Sequence, residues 1–201
     1  MARSKSLYTV LGLVIVLATS CGSGFDQQNQ MVVSVKDQKM VLLNDGKPIK
    51  TYRISTSKFG LGDKPRSNRT PLGKMKIARK IGCGEPTGAV FKSRRPTGEV
   101  LKPNAPGRDP IVSRILWLKG TERRNRNAFH RYIYIHGTPE IYRLGTPASY
   151  GCIRMGLKDV VDLYDRVGNG ADVFVIPGPI DDVIRRNRRV THKNEVSWNR
   201  S

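Results

Sequence analysis

Metal-binding patterns are missing from this chain of 201 residues. It has three Cys and three His, and none of them stands in a CxxC or HxxxH spacing. A structural zinc site of the usual kind is therefore excluded, and no metal is expected. No glycine-rich stretch ends in Gly-Lys-Ser/Thr, so Gly60-x-Gly62 is not a phosphate-binding loop. Acidic residues are scarce. Sixteen Asp and Glu face 36 Lys and Arg, for a net charge of +20. That excess favours polyanions such as nucleic acid, anionic lipid or acidic wall polymers. No homeodomain, zinc-finger or RNP-like pattern accompanies the charge, so no specific nucleic-acid partner is expected. No internal repeat is present, and the length fits one domain with a real core.

The apolar run Tyr8 to Ala18 is short for a membrane span and follows Arg3 and Lys5. This is the layout of an export signal. It ends in Leu17-Ala18-Thr19-Ser20-Cys21, which resembles the lipobox of bacterial lipoproteins, with Ala18 where a Leu is usual. The resemblance implies lipidation of Cys21 and a membrane anchor. Ordinary cleavage after Ser20 and a retained anchor are the alternatives, and all three export the domain to the cell envelope. Residues 1–24 are thus assigned to the signal or anchor and 25–30 to a polar tether.

From Met31 to Ser57 the apolar positions alternate as in consecutive hairpins, with Asp45-Gly46 the strongest turn. A basic, glycine-containing loop runs from Ser57 to Thr70, expected near a cleft, and Thr70-Pro71-Leu72-Gly73 leads into a strand. From Ile81 to Pro110 five prolines interrupt the chain, which predicts an irregular excursion serving as a lid. Cys83 lies in it; a bridge to Cys152 would silence that thiol, and independent thiols are expected. Ile111 to Leu118 reads as a strand, and Thr121 to Asn127 as a charged loop. Leu157, Val160, Val161, Tyr164 and Val167 trace one face of a helix. Ala171 to Ile176 is a last strand. The domain is assigned to 31–179 and a basic tail to 180–201, read as a solvated extension, with electrostatic attraction to membrane or wall anions as the alternative. His130 and His192 have no motif around them and read as exposed.

The chemistry concentrates between Tyr132 and Met155. His136 ends the alternating run Tyr132-Ile133-Tyr134-Ile135, and Cys152 sits 16 positions later in Ser149-Tyr150-Gly151-Cys152. An ordinary thiol has a pKa of roughly 8.5, so only a few per cent is thiolate at neutral pH, and an imidazole at hand can take its proton. Gly151 permits a tight turn that can aim backbone N–H groups at one point, as an oxyanion hole requires.

His136-Gly137, the linker ending in Gly145, and Ser149-Tyr150-Gly151-Cys152-Ile153-Arg154-Met155 together resemble the signature of the L,D-transpeptidase catalytic domain (YkuD-type) over roughly Met31 to Ile176. The departure is Tyr150, where that family usually has a second His. The resemblance implies a mainly β, sandwich-like catalytic domain with one clear helix, acting without cofactor. It implies Cys152 as nucleophile, His136 as base and the Gly137 carbonyl as the group that orients the imidazole. Backbone N–H groups of Tyr150, Gly151 and Cys152 are the implied oxyanion donors, Ser149 fixes the turn, and Arg154 holds the loop or a substrate carboxylate. The implied substrate is the peptide stem of peptidoglycan, cross-linked 3→3 with release of D-alanine or joined to another amine. Carbapenems commonly acylate family members. The alternatives are a carboxypeptidase or endopeptidase of the same fold, and a non-catalytic wall-binding lipoprotein. A nucleic-acid-binding protein is the reading that the charge alone would favour.

Overall fold

A computed structural model describes residues 25–185; the proposed lipidation site Cys21, the rest of 1–24 and the tail from 186 onward, including His192, lie outside the described residues. The first alternating segment forms three antiparallel strands, β1 (Asn29–Ser34), β2 (Lys39–Asn44) and β3 (Lys47–Ser55), and β1 begins within the stretch expected to be a tether. Asp45 and Gly46 join β2 to β3 with φ of 47° and 75°. Two left-handed residues give the turn whose twist matches that of the paired strands. The remaining elements are β4 (Gly73–Ile81), β5 (Ala89–Lys92), β6 (Arg95–Val100), β7 (Ile111–Gly120), β8 (Tyr134–Gly137), β9 (Ile153–Met155), α1 (Leu157–Arg166) and β10 (Asp172–Ile176).

All ten strands belong to one sheet in the order β4-β10-β1-β2-β3-β9-β8-β7-β5-β6. An additional β4–β7 pairing closes the sheet on itself, and β5 and β6 hang on β7 as a hairpin. The fold is mainly β with one clear helix, as expected. The enclosed face is packed with Met31, Leu42, Ile54, Ile77, Leu116, Leu118, Ile135, Ile153 and Met155. Removing that apolar surface from water is the main favourable term in the stability of such a domain.

Helix α1 adds Val160, Leu163 and Tyr164 to the same core. The period is the one read from the sequence, but the buried face includes Leu163 and leaves Val161 only partly covered. Tyr52 Oη donates to Asp162 at 2.6 Å and ties β3 to this helix.

Three local expectations change. The excursion from Ile81 to Pro110 contains the β5–β6 hairpin. Every residue of β6 (Arg-Pro-Thr-Gly-Glu-Val) is exposed, so no apolar alternation marks it, and Pro96 is tolerated because the strand lies at an edge. The strand carrying His136 begins at Tyr134, because Tyr132 has a left-handed φ of 56° and ends a tight turn. His136 therefore sits inside the strand. Finally, residues 180–185 are helical, and Ile180 packs on Val32, Val41 and Leu43 on the outer side of the sheet.

The orientation of α1 is testable by chemical denaturation. Leu163→Ala should cost about 2–5 kcal/mol, as for a fully buried leucine, and Val161→Ala no more than about 1.5 kcal/mol. A larger loss for Val161→Ala would contradict the buried face described.

Candidate active site

Strands β8 and β9 run parallel, with Ile135 opposite Ile153, His136 opposite Arg154 and Gly137 opposite Met155. Side chains alternate between the two faces of a strand. Ile135, Ile153 and Met155 point into the main core, so His136 and Arg154 lie on the other face. Cys152 immediately precedes β9 and packs there against a second apolar cluster containing Phe91, Ile115, Trp117 and Tyr134. One register thus brings His136, Cys152 and Arg154 to the same side of the sheet.

His136 is 6% exposed. Its Nδ1 lies 2.8 Å from the Gly137 carbonyl oxygen. A carbonyl can only accept, so Nδ1 carries the proton and Nε2 is left with the lone pair. Burial holds the imidazole below its ordinary pKa, and Arg154 pushes the same way, while the Gly137 carbonyl and Asp109 pull it up. Gly137 leaves no room for a side chain. A Cβ there would lie 2.6 Å from the Val112 carbonyl oxygen and 3.0 Å from Val160 Cγ1. The carbonyl that orients the histidine therefore belongs to a residue pressed between β7 and α1.

The turn before β9 is pinned from several sides. Ser149 is buried, and its Oγ donates to the Cys152 carbonyl at 2.6 Å and accepts from the Gly151 N–H at 3.2 Å. The Ser149 N–H donates to Thr56 O at 2.9 Å, and its carbonyl accepts from the Lys58 N–H at 3.1 Å. Thr70 Oγ1 donates to the Gly151 carbonyl at 3.0 Å. Gly151 has φ of 120°, a conformation that side-chain-bearing residues rarely adopt. Cys152 is a free thiol, so Cys83 does not bridge it; Cys83 itself is not a free thiol, contrary to the expectation of two independent thiols. Its Sγ donates to the Tyr132 carbonyl at 3.4 Å. Burial pushes the thiol up to about 11, against the opposing pull of the Tyr134 backbone N–H, Arg131 and Arg154.

Cys152 opens into a cavity of about 380 Å³ lined by Arg66, Asn68, His130, Arg131 and Tyr150. The 57–70 loop does form a wall of the cleft, as expected. Arg131 holds that wall. It donates to Gly62 O at 3.0 Å, to Asp63 at 3.1 Å and to Arg69 O at 2.7 Å. Tyr150 is exposed; Lys58 Nζ donates to its hydroxyl at 3.0 Å, and Phe59 packs at a ring-centroid distance of 5.4 Å. A separate cavity of about 310 Å³, between Arg53, Leu144 and Leu157, holds none of these groups.

Arg154 is 3% exposed and bonded to Asp109 and, at 3.0 Å, to Glu140. These pairs join β9 to the segment before β7 and to the linker after β8. Sequence reasoning missed His130 as a cleft residue, and missed Arg131, Asp109 and Glu140 altogether. The ion pairs of Arg131 with Asp63 and of Arg154 with Asp109 and Glu140 join residues distant in sequence, so no local spacing marks them.

Residues 28–176 match the model of the YkuD family, described as the L,D-transpeptidase catalytic domain. Among solved structures, an L,D-transpeptidase from Mycobacterium smegmatis is 17% identical, over 74% of this chain and 58% of that one, with a TM-score of 0.48. One from Mycobacterium tuberculosis H37Rv is also 17% identical, over 74% and 57%, with a TM-score of 0.48. Residues 123–326 of the Xylanimonas cellulosilytica DSM 15894 L,D-transpeptidase are 16% identical, over 75% and 61%, with a TM-score of 0.49. The chain spans less than two thirds of the length of each of these structures. Among curated proteins no match is found. With its matched segment taking in most of the sequence, this chain belongs to the L,D-transpeptidase catalytic domain family.

Proposed function

We propose that this protein is a cysteine-dependent L,D-transpeptidase that acts on peptidoglycan stem peptides through a thioester on Cys152. The observation that carries the reading is the hydrogen bond from His136 Nδ1 to the Gly137 carbonyl, on the strand beside a free thiol. It reserves Nε2 as a base. Cys152 Sγ attacks the donor carbonyl while its proton passes to Nε2. The tetrahedral oxyanion is held by backbone N–H groups. That of Gly151 already donates to Ser149 Oγ, so those of Tyr150 and Cys152 are assigned to the oxyanion. The carbon–nitrogen bond then breaks, and the leaving amine takes the proton from His136. The amine of an acceptor peptide attacks the thioester, gives its proton to His136, and the thiol is restored.

Both partners rest neutral in this reading. With the thiol at about 11, the thiolate fraction at pH 7 is about one part in ten thousand. Proton transfer then accompanies attack and does not precede it. Export, lipidation of Cys21 and residence in the cell envelope complete the proposal; they rest on the sequence of residues 1–24. A 3→3 cross-link is the preferred product, with hydrolysis or attachment of another amine as the other outcomes of a product assay.

Intact-mass spectrometry after incubation with a carbapenem should give a single adduct, mapped to Cys152. It should vanish in Cys152→Ala and be nearly lost in His136→Ala, while Tyr150→His should retain it. Undiminished acylation of Cys152→Ala would refute the mechanism. The resting state has its own test in iodoacetamide alkylation of Cys152. Because the thiol pKa is raised, the rate should climb about tenfold per pH unit from 7 to 10. A plateau already reached near neutrality would show a preformed thiolate–imidazolium pair.

A further inference from the structure

The groups packed behind His136 converge on one residue that no motif marks. Asp109 lies at the end of the segment that leads into β7. One carboxylate oxygen accepts from Thr138 Oγ1, and the other from Arg154 Nη1. Thr138 directly follows Gly137, whose carbonyl accepts from His136 Nδ1. The Thr138 N–H donates to Met155 O at 2.9 Å. Arg154 is the residue paired with His136 across β8 and β9. The Asp109 carboxylate therefore joins the chain just after the histidine to the chain just after the cysteine. Its segment is tied down a second time, by the Asn104 N–H to Pro139 O at 2.7 Å.

We propose that Asp109 is a positioning residue for His136, clamping Thr138 and Arg154 so that the Gly137 carbonyl is fixed where it selects the imidazole tautomer. The proposal rests on His136 being the base of the reaction described above. It also gives the excursion before β7 a task, since that segment delivers the carboxylate.

Charge adds a second, separable effect. The charged groups that act on His136 are Arg154 from β9 and Asp109 from the segment before β7. Glu140, from the linker between β8 and β9, shares the Arg154 guanidinium. Arg154 opposes the imidazolium that forms when His136 takes the thiol proton, and Asp109 favours it. Asn at 109 would keep an oxygen for Thr138 and remove the charge. Ala would remove both. Val at 138 would break the clamp and leave both charges in place.

The test is nitrogen-15 NMR of histidine-labelled full chain, with long-range proton–nitrogen correlations reporting the tautomer of His136. His136→Gln identifies its signals against those of His130 and His192. The wild type should show the Nδ1–H form. Asp109→Asn should keep that form and move the titration midpoint down by about one pH unit. Asp109→Ala and Thr138→Val should populate the other tautomer, whereas Glu140→Gln should not. In parallel, Asp109→Asn should slow carbapenem acylation about tenfold. Wild-type tautomer and midpoint in all three clamp variants, or the Nε2–H form in the wild type, would overturn the proposal. If the NMR changes appear but even wild type fails to acylate, the clamp stands and the transpeptidase reading falls.

Discussion

Three parallel pairs between β8 and β9 determine where His136 and Cys152 stand. Ile135, Ile153 and Met155 must enter the core, and their burial fixes the register. A slip of one residue would turn His136 and Arg154 inward and expose the apolar side chains. The hydrophobic effect, acting on residues with no chemical role, thereby holds the histidine and the turn bearing the thiol on one face. The sheet closure through β4 and β7 supports this arrangement from behind, since Ile115 of β7 pairs with His136 while Leu116 and Leu118 fill the core.

The same burial sets the electrostatics. It holds the His136 imidazole below its ordinary pKa and pushes the Cys152 thiol up. What the fold supplies is geometry: a tautomer chosen by a backbone carbonyl and a turn locked by Ser149 and Thr70. Polar groups that are already oriented do not have to reorganise as charge develops, which is where such sites gain most. Arg154 shows the converse. A guanidinium this deeply buried needs partners, and Asp109 and Glu140 provide them from two different segments.

Much of this was legible in the sequence wherever a local period or spacing carried it. The first hairpins, the turn at Asp45-Gly46, the helix after Met155 and the Cys/His segment all have short-range marks. The exposed strand β6 had none, because neither of its faces is buried. Tyr132 looked like strand because its neighbours alternate, but the tight turn from Ala128 to Ile133 claims it. Leu163 displaced Val161 from the helix face because the exact angle depends on packing against the sheet. Asp109, Glu140 and Arg131 act across long stretches of chain, and only the folded contacts reveal them.

The most direct measurement is turnover of a tetrapeptide-stem donor, followed by release of its terminal D-alanine and by the mass of the enzyme on rapid quenching. D-alanine release with a transient acyl group on Cys152 is expected, and neither in Cys152→Ala. Release of D-alanine by Cys152→Ala at the wild-type rate would contradict the thioester mechanism.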